Sequence, residues 1–571
     1  MSRPITKLAP AILSALFLTA CTTVPAPAPE PVEVRLIGLN DFHGNLEPQR
    51  RALKLAHGDG SVEEVQVGGL AAYSAVVKSL RQQSENSIVI AAGDMISASP
   101  LVSSLFLDEP TVTGLSAMGL DYSAVGNHEF DRGWRELKRM QDGGCEKLAN
   151  REPCQVEPFA GASYQILSAS TVFEKDGAPL FPGSAIETFG EGENAVSVGI
   201  IGLTLEDTPN LVTPSGVAGL RFMDEADAIN AEVTKLADKG VDAFVVAIHQ
   251  GLYSNLPYDA PGCDGINGSL LDILARLDPR IDVVLSGHTH QFYVYEYSEI
   301  DATRPFVVTS AGYGGAFVTD VALTIDPVAN DVTAKSARNV VVRADGSTVN
   351  SLDRNAAAYV AKYVDASNTA AGRVVGKVTG DGRYRKTASE ETPLGNAIAD
   401  AQLFATREAG AQLALMNNSG IRAALTPRGD GTVTFSDIYT VQPFGNTLVT
   451  MTYTGEQLLA LFEQQFDDDG FIQTFSPSQG FRLTYDLDRP VGSRVVSVTL
   501  DGKPIDSAKT YRVTMNSFLA AGGDSFTVFK DGTDATVGPV DLDAFEAWLE
   551  QADVTALPAE GRVVNLTKSQ D

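Results

Sequence analysis

Between Val34 and Ser310 the chain carries seven short apolar runs, and five of them stop at a cluster containing His, Asp or Asn. Leu36–Leu39 leads to Asn40-Asp41-Phe42-His43, Ile88–Ala92 to Gly93-Asp94, and Ser123–Val125 to Gly126-Asn127-His128-Glu129-Phe130-Asp131. Phe244–Ile248 leads to His249-Gln250-Gly251, and Val283–Leu285 to Ser286-Gly287-His288-Thr289-His290. Val196–Leu203 and Phe306–Ser310 complete the set. Most of the runs are continuous rather than alternating, the pattern of strands buried on both faces. Leu70–Gln82 and Ala226–Lys239 lie between them with the spacing of amphipathic helices. Strands alternating with helices predict a layered α/β domain. Sheets of that kind keep their sites outside the carboxyl ends of the strands, where all five clusters fall.

A chain of 571 residues exceeds one ordinary core, so a second large domain is expected. Asp353–Ala371 is helical in pattern, with no Pro or Gly before Gly372, and predicts a connecting helix. Beyond it the pattern is mixed α/β. Thr392–Glu408 and Glu456–Gln465 read as helices; Thr432–Phe435, Leu448–Tyr453, Arg494–Leu500 and Tyr511–Met515 read as strands. The expected division is 1–20 signal, 21–32 tether, 33–348 first domain, 349–372 linker helix and 373–568 second domain.

The clusters are chemically selective. The chain has six histidines, and all but His57 sit in these strand-end clusters. A single His beside a strand is usually a hydrogen-bonded packing residue; five at successive strand ends point to a shared task. Imidazoles and carboxylates together suit divalent first-row ions such as Zn, Mn or Co. Seven such residues are too many for one tetrahedral ion. They fit a pair about 3.5–4 Å apart that shares a carboxylate.

Net charge is −29, from 72 acidic and 43 basic residues, which disfavours a nucleic-acid polymer as partner. A small anion held by local arginines or metals remains compatible. Arg3 and Lys7 precede the apolar stretch Ala11–Ala20, which is short for a membrane span and reads as an export signal. It ends in Leu18-Thr19-Ala20-Cys21, which resembles the lipobox of bacterial lipoproteins. That resemblance implies cleavage before Cys21, lipid on its thiol, and a membrane-anchored protein facing the periplasm or cell surface. Thr22–Val32 is rich in Pro and Ala, as an extended tether would be. Cys145 and Cys154 flank a polar loop and could close it by a disulfide in an oxidising compartment, leaving Cys263 over.

Asp41-x-His43, Gly93-Asp94, Gly126–Asp131, His249 and Gly287-His288-x-His290 together resemble the calcineurin-like metallophosphoesterases. Within them the pattern is similar to the bacterial periplasmic 5′-nucleotidases and UDP-sugar hydrolases. The resemblance continues in Met416-Asn417-Asn418-Ser419-Gly420-Ile421-Arg422, Gln442-Pro443-Phe444-Gly445-Asn446 and Phe518-Leu519-Ala520-Ala521-Gly522-Gly523-Asp524. It implies Asp41, His43 and His290 on one metal, Asp94 between the two, and Asn127, His249 and His288 on the other. It implies that His128 stabilises the transition state and that Asp131 orients it. The second domain would then hold the nucleoside, with Phe444 and Phe518 on the two faces of the base and Asp524 on the ribose. Asn417, Arg422 and Asn446 would add polar contacts. Two departures stand out. Asn418-Ser419 occupies the place of two family glycines. The family's Arg before Leu394-Gly395-Asn396 falls by spacing on Ala388, with Arg383 and Arg385 nearby as substitutes.

The implied activity is two-metal hydrolysis of nucleotides outside the cytoplasm, releasing nucleoside and phosphate, with UDP-sugar hydrolysis as a further activity of the same site. The alternatives are a 2′,3′-cyclic nucleotide phosphodiesterase with 3′-nucleotidase activity, and a nucleotide-binding surface lipoprotein without turnover.

Overall fold

The protein is described by a computed structural model over residues 29–567, apart from 50–51, 150, 213, 260–261, 264, 386 and 468–472. The expected signal, Cys21 and the tether up to residue 28 lie outside the described residues.

The first domain is built on two six-stranded sheets. The strands of these two sheets, in chain order, are β1 (Val32–Leu39), β2 (Ser87–Ala91), β3 (Tyr122–Ala124), β4 (Gln165–Leu167), β5 (Ser184–Phe189), β6 (Val196–Thr204), β7 (Ala243–His249), β8 (Val283–Ser286), β9 (Phe292–Glu296), β10 (Val307–Ala311), β11 (Phe317–Asp326) and β12 (Asp331–Val341). One sheet runs β12-β11-β1-β2-β3-β4 and the other β9-β10-β8-β7-β6-β5. The cores are parallel: β1–β2, β2–β3 and β3–β4 in the first sheet, and β6–β7, β7–β8 and β8–β10 in the second. Antiparallel strands close their edges.

The sheets face each other across one apolar layer that includes Leu36, Ile90, Val245 and Leu285, all fully buried. Helix α1 (Leu70–Arg81) covers the outer face of the first sheet and α2 (Glu225–Ala237) that of the second. The central strands β1, β2, β7 and β8 are therefore apolar on both faces, which is why their sequences read as runs. Full burial of one such side chain is worth about 1.5–3 kcal/mol, so the register of the strands is strongly fixed. The β11–β12 hairpin was not expected from the sequence. Its second strand, Asp331–Val341, is mostly exposed and polar, and a search for continuous apolar runs passes over it.

Helix α3 (Arg354–Ala371) joins the domains. Asp353 caps it, accepting from the backbone N–H of Asn355 and Ala356, and its carboxylate also meets Lys78 Nζ at 2.6 Å. Val360 and Tyr363 anchor the helix in the first domain's core, while Ala371 packs on the second's.

The second domain has a five-stranded sheet of β13 (Leu413–Asn417), β14 (Thr447–Thr454), β15 (Phe475–Pro477), β16 (Thr510–Asn516) and β17 (Thr533–Val540), in the order β15-β13-β16-β14-β17. The parallel pair β13 and β16 ends in Asn417 and Asn516, so the loops carrying Arg422 and Phe518 also leave strand ends on one side. Leu101 and Leu105 of the first domain join the second domain's core, and the Arg151 guanidinium lies 5.2 Å from the Tyr439 ring.

Candidate metal centre

The seven expected ligands meet at the carboxyl ends of β1, β2, β3, β7 and β8. The parallel arrangement makes them meet: all five strand ends point the same way, so residues up to 249 positions apart in sequence, Asp41 and His290, share one pocket. Two groups form. Asp41, His43 and His290 offer ligand atoms within 4.8 Å of one another, and so do Asp94, His249 and His288. Asp94 links them, with Oδ2 3.0 Å from His249 Nε2 and 3.6 Å from His43 Nε2. Asn127 Oδ1 is 3.1 Å from His288 Nδ1, which adds the amide to the second group.

Local backbone strain accompanies the convergence. Asp41, His43, Asp94, His288 and His290 all have φ between 45° and 71°, the left-handed region that costs a non-glycine residue stability and clusters at functional sites. Gly126 is required by a close approach: a Cβ there would fall 2.1 Å from Asp94 Oδ1.

The donor set fits two cations. His43 Nδ1 donates to the Ser97 carbonyl and His249 Nδ1 to the Ala92 carbonyl, both at 2.8 Å. Those bonds orient each ring and turn its Nε2 inward; at His249 burial favours the neutral ring, but Asp94 and then Asp41 outweigh it and push the pKa up to about 10, so a cation bound there would displace a proton. Both Nε2 atoms are buried without a hydrogen-bond partner among the described residues; the Asp94 carboxylate is close to His249 Nε2 but not aligned with it as an acceptor. Buried polar atoms left without a partner are costly unless something coordinates them. Burial, followed by the positive charges of His128 and Arg422, pushes the His43 pKa down to about 3. Burial and then His249 push His288 down to about 3 as well, so both imidazoles are neutral and able to ligate at pH 7. Burial would raise Asp94, but His249 and His128 outweigh it and hold the carboxyl ionised.

His128 belongs to neither group, although its ring centroid is 5.2 Å from that of His43. Its Nδ1–H donates to Asp131 Oδ2 at 2.9 Å, and its backbone N–H donates to Asp94 Oδ1. Burial favours the neutral ring, yet Asp131 and Asp94 outweigh it and raise the pKa, keeping a proton on the imidazole.

The second domain reaches this centre. The Phe444 ring stacks on His128 with centroids 5.7 Å apart and planes 12° apart, and the Arg422 guanidinium lies 5.8 Å from the Phe444 centroid. Arg422, expected as a nucleoside contact, is the guanidinium of that domain whose charge acts on His43, His128, His288 and His290. Arg383 is exposed and engaged by Asp381 and Glu560, and Arg385 is exposed. Asp524 accepts from Asn417 Nδ2 at 2.8 Å and from the Ser419 hydroxyl. The Phe518 ring lies against Gly523, the residue before Asp524, where a Cβ would meet it at 2.4 Å. Asn446 accepts from the Ser517 hydroxyl at 3.2 Å, which connects the Phe444 and Phe518 loops. Cys145 and Cys154 form a disulfide.

Four residues here had no role in the sequence reading. Asn40 donates to Asp41 Oδ2 at 2.7 Å and to the Gly312 carbonyl at 2.8 Å, holding an expected ligand in place. Tyr313 flanks His290 and His43, with ring centroids 4.5 and 5.5 Å away. Ser97 supplies the carbonyl that orients His43. Ser419, one of the two departures from the family glycines, binds Asp524. Asn40 and Ser419 adjoin motif residues, which was the available signal; Ser97 and Tyr313 give none, because their closeness arises from the fold.

Residues 34–292 match the calcineurin-like phosphoesterase family, and residues 374–531 match the 5′-nucleotidase C-terminal domain. The chain is 32% identical over 539 residues to "Endonuclease YhcR" of Bacillus subtilis, covering 94% of this chain and 41% of that protein. It thus spans about two fifths of that relative's length. It is 31% identical over 572 residues to "Cell wall protein Lmo0130" of Listeria monocytogenes, covering 96% of this chain and 70% of that one. Among solved structures, a 5′-nucleotidase precursor from Thermus thermophilus superposes with a TM-score of 0.74 at 27% identity, covering 94% of this chain and 99% of its own.

Proposed function

Because the chain belongs to the calcineurin-like metallophosphoesterases that carry a 5′-nucleotidase C-terminal domain, and is therefore a metal-dependent phosphoester hydrolase, we propose that it hydrolyses nucleoside 5′-monophosphates to nucleoside and phosphate. UDP-sugars are proposed as further substrates of the same site. The observation that carries this reading is the approach of Arg422 and Phe444 of the second domain to His128 at the metal centre of the first. A substrate held by both must present a phosphate at one end and a flat, stackable group at the other.

Asp41, His43 and His290 would hold one divalent ion and Asn127, His249 and His288 the other, with Asp94 on both. Two such ions activate water at neutral pH and neutralise phosphoryl charge. The chain's own residues do the rest. Arg422 brings a fixed positive charge to the phosphoryl oxygens, and protonated His128, steadied by Asp131, offers its proton where negative charge grows. Phe444 and Phe518 would stack the base, while Asp524, held by Asn417 and Ser419, would accept from ribose hydroxyls. Stacking is indifferent to base identity because every base has a π-face, so broad nucleobase tolerance is expected.

The test is hydrolysis with Mn, Zn or Co, read as phosphate from AMP and UMP, UMP from UDP-glucose, nucleoside monophosphate from 2′,3′-cAMP and 4-nitrophenol from bis(4-nitrophenyl) phosphate. A preference for 2′,3′-cAMP over AMP overturns the reading in favour of a cyclic phosphodiesterase, and no turnover on any substrate reduces the protein to a binder. Phe444→Ala and Phe518→Ala should each cost roughly tenfold or more on AMP, from about 1–3 kcal/mol of stacking. Turnover of 4-nitrophenyl phosphate, which has no nucleoside to seat, should change much less. Equal losses on both substrates would remove the base sandwich.

We also propose export and lipid anchoring through Cys21. The Cys145–Cys154 disulfide supports an oxidising compartment, and the named relatives include a cell wall protein. No helix among the described residues is long and apolar enough to cross a membrane. Cys21→Ser should leave the protein unprocessed or release it from membranes; unchanged processing and detergent partition would count against a lipoprotein.

A further inference from the structure

Glu129 lies inside the Gly126–Asp131 motif, yet neither metal binding nor proton transfer uses it. Its carboxylate is 7% exposed and accepts four backbone N–H groups. Oε2 receives Asp94 N at 2.9 Å and Gly126 N at 2.7 Å; Oε1 receives Met95 N at 2.8 Å and Ile96 N at 3.4 Å. Three of those amides belong to the loop leaving β2 and one to the loop leaving β3. The β2 loop is strained there: Asp94, Ser97 and Ala98 have φ of 52°, 65° and 47°. Backbone in that region persists only where the surroundings over-determine it. Four converging N–H bonds on one side chain are such a constraint: burial and then Asp94 push the Glu129 pKa up to about 8, and the four donors, two on each oxygen, favour the ionised form against that pull.

We propose that Glu129 is a positioning residue of the metal centre: its carboxylate clamps the strained backbone of Asp94 and thereby sets where the Asp94 side chain stands between the two ligand groups. The proposal rests on the reading of Asp94 as the shared ligand. An amide cannot replace the carboxylate. Gln accepts at one end only, and its NH2 would confront two backbone N–H groups at the other. Asp keeps the charge but draws it back by one methylene.

The competing explanation is general stability, because any buried, multiply bonded carboxylate supports a fold. Glu391 in the second domain supplies the control. It is fully buried and accepts backbone N–H groups from Gly561, from Arg562 at 3.0 Å and from Val563 at 2.9 Å.

The experiment compares Glu129→Gln, Glu129→Asp, Glu391→Gln and Asp94→Asn in the full chain stripped of metal. It uses calorimetric titration with Mn2+, thermal melting of the stripped protein, and the electron paramagnetic resonance spectrum of the Mn-loaded form. Glu129→Gln should weaken Mn2+ binding about 10–100-fold, the usual cost of losing a residue that supports a ligand, and alter the exchange coupling between the two ions. Glu391→Gln should lower the melting temperature while binding Mn2+ as the unmodified chain does. Should Glu129→Gln fail to fold, Glu129→Asp carries the same comparison. The proposal is overturned if the Glu129 variants bind Mn2+ within about twofold of the unmodified chain while Asp94→Asn does not. It is also overturned if Glu391→Gln weakens binding as much as Glu129→Gln. If Asp94→Asn itself binds Mn2+ normally, the reading of Asp94 as shared ligand falls and the clamp falls with it.

Discussion

Asp94→Asn should lose bound metal and nearly all turnover. Asn has the same shape, and its carbonyl can still accept from the His128 N–H, so the fold is expected to survive. What disappears is a negative charge lying 3.0 Å from His249 Nε2 and 3.6 Å from His43 Nε2. Each group of three then has one carboxylate fewer to offset its ion: Asp41 remains alone in the first, and the second keeps only neutral ligands. A hard divalent ion held by imidazole and amide alone is poorly neutralised. The loss of rate should therefore exceed the 10²–10⁴-fold typical of a single positioned acid or base. Metal content by mass spectrometry and phosphate release from AMP decide it together. Full occupancy with a normal rate would remove the two-metal assignment.

His128→Ala should behave in the opposite way, keeping both metals and losing roughly 10²–10⁴-fold in turnover, or about 3–5 kcal/mol of barrier. The imidazole is beside both ligand groups, but its Nδ1–H is committed to Asp131, and its proton is kept by Asp131 and Asp94 against the pull of burial. Asp131→Asn, which leaves the ring but not the charge that steadies its proton, should fall between His128→Ala and the unmodified chain. Loss of a metal in His128→Ala would make the residue a ligand instead. A second consequence concerns the domains. Phe444 stacks on this ring, so the variant also loses a contact across the cleft, and the KM for nucleotides should shift more than that for 4-nitrophenyl phosphate.

The apolar runs were legible because burial on both faces of β1, β2, β7 and β8 removes polar residues from the strand, and the polar clusters mark where that burial stops. Helices α1 and α2 and the linker helix α3 were legible through their 3.6-residue spacing and, for α3, through the Asp353 cap. The β11–β12 hairpin was not, since its outer strand faces water and carries no apolar signature. The role of Arg422 was only half legible. Its motif marks it as polar and functional, but a loop position cannot say which domain it faces.

A family resemblance offered the seven expected ligands, and proximity offered Cys145 and Cys154 as a pair that could close a loop; the sequence by itself determined the layered α/β class and the second domain. These follow from local residue type and spacing, which leave a one-dimensional trace. The tertiary structure decided the close approach of the ligand atoms within each group, the inward Nε2 atoms of His43 and His249, and the meeting of Phe444 with His128. Those depend on the mutual placement of strand ends and domains far apart in the chain. Hydrogen bonds accepted by the Ser97 and Ala92 carbonyls and by the Glu129 carboxylate fix the placement within the first domain, and packing around α3 fixes it between the two. A carbonyl that orients an imidazole has no side-chain identity, so no reading of residue types finds it.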